Sequence, residues 1–350
     1  MRFARLKAIM MRWWRLLVIA PLLWPPYAAR ASNEQRVSFG GAQGAHIAGT
    51  LELPAGHGTF PAMVLLAGSG PTDRDGNQPP AIHTDLLKQI AAGLAEHGIA
   101  SLRFDKRGMY ANAADLPQDI SKYGDFFSWE NFVGDAAAAC RFLRQQSRID
   151  PNRVGILGHS EGGLLALEAA AVLAAQGHRP AVLVLISTPG RTMDAILADQ
   201  LRSLLGRQGA TPQQTDYFLS ENARITRAII QTGRVPPDVP SGLAALYPPY
   251  LGRFLHSELV LDPCKLAAQC SGPVMVIAGS ADTQVSPDLD AKALDAALAA
   301  RPGEVHALAI IPQASHNLKI LANPADPGFD GPIAPAAQEQ LDQWASDHLR

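Results

Sequence analysis

The chain has 350 residues, 47% hydrophobic and 18% charged, enough apolar mass for a large core and too much for a disordered or fibrous chain. A net charge of −2 leaves no basic excess for a phosphate backbone, and no Lys/Arg stripe interleaves with aromatics, so nucleic acid is not expected as a partner. Three cysteines do not make a disulfide framework: Cys140 reads as a buried apolar residue, while Cys264 and Cys270 are spaced for a local bridge that the sequence leaves open.

Residues 1–31 differ in kind from the rest. Arg2, Arg5, Lys7, Arg12 and Arg15 precede an apolar run at 16–24, and Ala29-Arg30-Ala31 supplies small residues for cleavage. This reads as a secretory signal peptide, with Met10 or Met11 as an alternative start. The run is short for a span and is broken by Pro21, with Pro25 and Pro26 just beyond it. A cleaved, periplasmic or secreted chain is therefore expected ahead of one anchored by an uncleaved N-terminus, and no membrane span is expected after residue 31.

From residue 32 one domain is expected, in which strand-like and helix-like runs alternate, the pattern of an α/β fold with a mostly parallel sheet flanked by helices. Strands at 36–39 and 46–53, separated by a short Gly-rich turn, should be antiparallel. The apolar run 62–67 is a buried strand ending in Gly68-Ser69-Gly70; 85–97 has helical spacing, 99–104 is a strand and 129–146 a helix. The strand-like Arg153-Val154-Gly155-Ile156-Leu157 leads into Gly158-His159-Ser160-Glu161-Gly162, and an Ala/Leu-rich helix follows to about 176. After a strand at 181–186 the alternation stops. From about 192 to 263 only helical runs (193–205 and 213–231) and a Pro/Tyr-rich stretch occur, which reads as a helical cap inserted between two strands. A strand at 273–278, a helix at 289–298, a strand at 305–311 and a last helix from 336 resume the pattern.

A strand turning this sharply into a helix strains the backbone of Ser160, and only glycines two positions to either side avoid collision. What results is an exposed hydroxyl at a helix N-terminus, where the Glu161 amide and the helix dipole favour developing negative charge. Ser160 is the candidate nucleophile. A serine needs a base, and the base needs an acid to orient its imidazole; on such sheets both gather at the carboxyl ends of strands. The strand at 273–278 runs into Gly279-Ser280-Ala281-Asp282, and the strand at 305–311 into Pro312-Gln313-Ala314-Ser315-His316. Asp282 is the expected acid, with Asp194 the runner-up, and His316 is the expected base. His306 in a strand, His348 at the end of a helix and His159, whose ring should point away from the serine, are set aside. The second oxyanion donor should be the amide of Ser69, or else of Gly70. Asp73-Arg74-Asp75-Gly76-Asn77 has its glycine misplaced for a calcium loop and reads as an Arg/Asp ion-pair network. The chemistry calls for no cofactor or metal.

These motifs, with Pro71-Thr72 inside the first loop, Asp105-Lys106-Arg107-Gly108 and the second glycine of Gly162-Gly163, resemble bacterial α/β-hydrolases of the serine-aminopeptidase and acyl-peptidase-like esterase group. The resemblance covers most of the chain after residue 31. It implies the α/β-hydrolase fold with Ser160, Asp282 and His316 in the triad roles, in the chain order that layout uses. Ala67 departs from a common histidine and Met109-Tyr110 from a common second glycine, which bears on the shape of the oxyanion loop and its pocket. The expected activity is hydrolysis of small or medium acyl esters. Alternatives are a serine aminopeptidase or acyl-peptidase, with Glu161, Asp73 or Asp75 gripping a substrate ammonium, and a hydrolase-shaped binding protein without turnover. Tyr217, Phe218, Tyr247, Tyr250 and Phe254 would line an acyl pocket or pack cap on core. Oligomeric state is left open.

Overall fold

The computed structural model describes residues 33–323 and 326–349; the expected signal segment lies outside them. β1 (Asn33–Gly40) and β2 (His46–Leu53) form the antiparallel pair, in register from Gly40↔His46 to Asn33↔Leu53. β3 (Phe60–Leu66), α1 (Leu86–Glu96), β4 (Ala100–Phe104), α2 (Tyr123–Phe126), α3 (Trp129–Arg144), β5 (Ile149–His159), α4 (Glu161–Ala175) and β6 (Leu183–Ile186) follow. Next come α5 (Met193–Arg207), α6 (Pro212–Thr232), α7 (Gly252–Val260) and α8 (Pro263–Gln269), with no strand among the described residues between β6 and β7 (Val274–Gly279). α9 (Lys292–Ala299), β8 (His306–Ile311) and α10 (Pro335–His348) complete the chain. The strands form one sheet in the order β1-β2-β4-β3-β5-β6-β7-β8. β2 is antiparallel to both its neighbours and the remaining pairs are parallel.

β3, β6 and β7 are apolar throughout because the sheet is covered on both sides. Along β3, Met63 and Leu65 join the core built with α1 and α10, including Leu86, Ile90 and Leu341. Val64 and Leu66 turn to the opposite core, with Phe132 and Ala136 of α3 and Leu165 of α4. This two-sided cover fixes the register, since a one-residue slip would exchange the two sets.

The helices after β6 have an apolar core of their own. Leu201 and Leu205 of α5, Ile225 and Ile229 of α6, and Leu255 and Leu259 of α7 meet Leu243 and Tyr247. α6 starts where sequence chemistry says it should: Pro212 follows Thr211, and Thr211 and Gln214 cap each other's amides at 3.2 and 2.8 Å. It stops at Gly233, whose φ of 67° suits a left-handed cap. α7 is a helix where the sequence suggested only a Pro/Tyr-rich stretch. It docks on α3 through Phe254, 5.4 Å from Trp129 and 5.5 Å from Phe132, ring centre to ring centre. Tyr250 packs likewise on Tyr123, and the buried Tyr247 hydroxyl donates to Asn222. These rings pack against neighbouring elements, and Tyr217, edge-on to Phe218, is exposed.

One side chain ties the loop leaving β6 to the loop leaving β7. Asp290, fully buried in the wide turn before α9, accepts from the amides of Gly190 (3.1 Å) and Arg191 (3.0 Å), and from that of Ser286 (3.0 Å). The Arg191 guanidinium adds Nε and Nη2 contacts at 3.0 and 2.9 Å, a bidentate charged pair.

Candidate active site

β5 delivers His159 and then Ser160, whose φ of 56° and ψ of −124° lie where side-chain-bearing residues rarely sit. The bend leaves no room beside it. A Cβ on Gly158 would come 2.1 Å from the Gly162 carbonyl oxygen, and one on Gly162 would come 2.5 Å from the Leu66 oxygen. Both neighbours are backbone, which cannot step aside, so the two glycines of the motif are required by contact. Ser160 Oγ makes no hydrogen bond with another described residue.

At the same sheet edge, Asp282 lies just past β7 and His316 past β8, hydrogen-bonded Nδ1 to Oδ2 at 2.8 Å with both residues buried. The other carboxylate oxygen of Asp282 accepts from the amides of Gln284 (2.8 Å) and Val285 (3.0 Å). Burial pushes this carboxyl up, but the facing His316 and the two amides outweigh it and hold it below the usual carboxylate range. Asp282 is therefore an anion, the His316 Nδ1 carries the proton, and Nε2 is left as the basic atom. Asp194 stands apart in the first turn of α5, acting on Tyr247. His306 faces Asp295, and the His348 ring lies 4.0 Å from that of Trp344, ring centre to ring centre.

The His159 ring lies 4.8 Å from the His316 ring, and its Nε2 donates to the His316 carbonyl at 3.1 Å. A carbonyl can only accept, so Nε2 bears the hydrogen. Burial, and next the charge of His316, push His159 down to about 3, keeping it neutral. The residue preceding Ser160 thus grips the backbone of His316. Asp282 and His316 are hydrogen-bonded and Ser160 is joined to them through His159; a direct bond between Ser160 and His316 is not formed. Catalytic hydrogen bonds in free enzymes are commonly long and tighten with substrate.

The loop after β3 lies over the same elbow: a Cβ on Gly68 would be 3.3 Å from that of Ser160. Ser69 and Gly70 are exposed, and the amides of Ser69 and Glu161 find no acceptor among the described residues. The Asp73 to Asn77 stretch is the ion-pair network its sequence suggested, with Arg74 on Asp105, Arg103 on Asp75, and Asp73 accepting from the amides of Asp75 and Asn77. Among the described residues no His/Cys/Asp/Glu group could hold a metal, and the three cysteines are free.

Two residues of this region carry no local sequence signal of their role. Lys106, buried at the exit of β4, donates to the Gly68 carbonyl at 2.7 Å and to the Glu161 carboxylate at 2.8 Å. Its position at a strand's carboxyl end was the available clue. Glu258 of α7 is buried, 5% exposed, and its carboxyl makes no hydrogen bond among the described residues. Burial and then the charge of Glu161 push its carboxyl well above the usual range, with Lys106 pulling the other way. The folded chain holds this proton where the unfolded chain has released it. The stability it brings is therefore complete at acid pH and is lost as pH rises through the raised folded value. Glu258→Gln keeps the shape and cannot ionise. Its thermal midpoint should gain on that of wild type by a few degrees between about pH 5 and about pH 9. A difference that stays constant over that range would count against the buried proton.

With this geometry in place, comparison with known proteins gives a consistent answer. Residues 81–213 match the family model described as serine aminopeptidase, S33. Esterase EstD of Thermotoga maritima is 30% identical over 241 residues, 68% of this chain and 50% of that protein, so the chain spans half the length of this curated relative. Among solved structures, the esterase domain of a Rhodothermus marinus protein superposes with a TM-score of 0.51 at 17% identity, covering 91% of this chain and 100% of that one. Acetyl xylan esterase from Paenibacillus sp. R4 gives 0.53 at 18%, covering 92% and 86%. A puromycin-hydrolyzing peptidase of Mycobacterium tuberculosis gives 0.56 at 17%, covering 93% and 40%. At these identities the structural matches speak to fold. Sheet order, elbow and structural matches agree: the chain has the α/β-hydrolase fold.

Proposed function

We propose that the chain is an exported serine hydrolase that cleaves carboxylic esters of small or medium acyl chains through Ser160, His316 and Asp282. The observation that carries this reading is the strained Ser160 elbow at the sheet edge that also presents the hydrogen-bonded Asp282–His316 pair. His316 Nε2 takes the Ser160 proton as the serine attacks the ester carbonyl. The amides of Glu161 and Ser69, with Gly70 as the alternative to Ser69, receive the oxyanion, and Asp282 stabilises the imidazolium. His316 then protonates the leaving alkoxide, and water repeats the sequence on the acyl-enzyme. Export rests on residues 1–31 alone; no helix among the described residues is long and apolar enough to cross a membrane.

The relatives named as esterases support ester chemistry; the family description and the puromycin-hydrolyzing neighbour support a peptidase as the second reading. An aminopeptidase needs a free carboxylate for the substrate ammonium. The carboxylates expected for that task are engaged, Glu161 with Lys106, Asp75 with Arg103, and Asp73 with its own loop. On purified protein, kcat/KM for p-nitrophenyl butyrate is expected to exceed that for alanine p-nitroanilide by about 100-fold or more. The opposite ranking would replace the esterase reading with the peptidase one.

A further inference from the structure

Resting on that hydrolase reading, we propose that Lys106 is the positioning residue of the oxyanion hole, holding both of its amide donors through one buried ammonium. The Gly68 carbonyl that accepts from Lys106 Nζ at 2.7 Å belongs to the peptide unit whose other end is the Ser69 N–H. That peptide is trans, so its C=O and N–H point in opposite directions. Pinning the carbonyl against the interior turns the Ser69 amide to the exposed side, on the segment that lies against Ser160.

The next carbonyl is held as well. Ser69 O accepts from Thr72 Oγ1 at 2.9 Å and from Gln78 Nε2 at 3.0 Å, so the peptide cannot swing about either flank. On the other side of the hole, Lys106 Nζ reaches Glu161 Oε1 at 2.8 Å and so anchors the first residue of α4, whose own amide is the second donor. Lys106 itself is 7% exposed and sits 5.7 Å from the centre of the Phe132 ring, so its ammonium has little freedom to wander.

The charge has a second effect. A peptide carbonyl that accepts from a cation is polarised, and its amide becomes a stronger donor, most of all where water is excluded. The ammonium thus acts on the oxyanion through one peptide unit without touching substrate. It also explains why a buried Lys–Glu pair occurs beneath the nucleophile, where an apolar pair would stabilise the fold as well.

The test uses Lys106→Met, which keeps the length and removes the donor, and Lys106→Met/Glu161→Gln, which removes the charge pair together and guards against a folding failure of the single variant. Turnover of p-nitrophenyl butyrate and the rate of covalent labelling by an alkyl fluorophosphonate are measured on folded protein. We expect kcat to fall roughly 10- to 100-fold with KM within about threefold, and phosphonylation to slow in proportion. The pH midpoint of kcat/KM should stay in place, and Lys106→Arg should recover part of the loss. A folded variant with kcat within about threefold of wild type, or a loss carried by KM, overturns the proposal. Absence of Ser160-dependent turnover in wild type is a different result: it removes the hydrolase reading, and this role with it.

Discussion

Ser160→Ala is expected to lower hydrolysis of p-nitrophenyl acetate and butyrate by about 10⁵- to 10⁶-fold in kcat, the scale seen when a triad nucleophile is removed. The fold should not notice. Alanine has the same Cβ as serine and meets the same strain at φ 56°, while Oγ makes no hydrogen bond with another described residue that its removal would break. The thermal midpoint should therefore stay within about 2 °C of wild type. Circular dichroism and turnover on one preparation check both halves. Undiminished turnover in a folded variant would take Ser160 out of the mechanism.

The second large effect is expected at Asp282. Asparagine is nearly isosteric, yet the amides of Gln284 and Val285 both donate to Oδ1 and so select the amide oxygen for that side. The asparagine NH₂ then faces His316 Nδ1, which must accept instead of donate. The imidazole hydrogen moves to Nε2, the atom that should take the serine proton, and the base is lost while its position is kept. Asp282→Asn should cost roughly 10⁴-fold in kcat, as for the wrong tautomer in serine proteases. Asp194→Asn should stay within about twofold, since that carboxylate acts on Tyr247 in the helical insertion. Should the two variants trade places, the acid assignment would move to Asp194.

Much of this arrangement could be read before any coordinates, and the part that could not has a common physical cause. Ser160, Asp282 and His316 each follow an apolar run at a strand's carboxyl end, which is a local signal. α7 is nine residues long, opens on Gly252 just after Pro248-Pro249-Tyr250, and offers only Leu255 and Leu259 as periodic evidence. The partnership of Lys106 with Glu161 spans 55 positions, and that of Glu258 with both is longer or crosses from insertion to core, so no window of sequence contains them. The sequence leaves the aromatic residues open between pocket and packing for the same reason. Whether Phe254 faces a cavity or α3 depends on how α7 docks, a property of tertiary packing.

The Asp290 clasp bears on how this architecture tolerates change. Because one carboxylate holds the Gly190 and Arg191 amides and also the Ser286 amide, the point where the chain departs for its helical excursion is bolted to the turn that follows Asp282. Rearrangement of the excursion must pivot beyond Arg191, leaving the carboxylate partner of the imidazole undisturbed. A longer or differently shaped insertion starting past that bolt would leave the Asp282–His316 pair where it is.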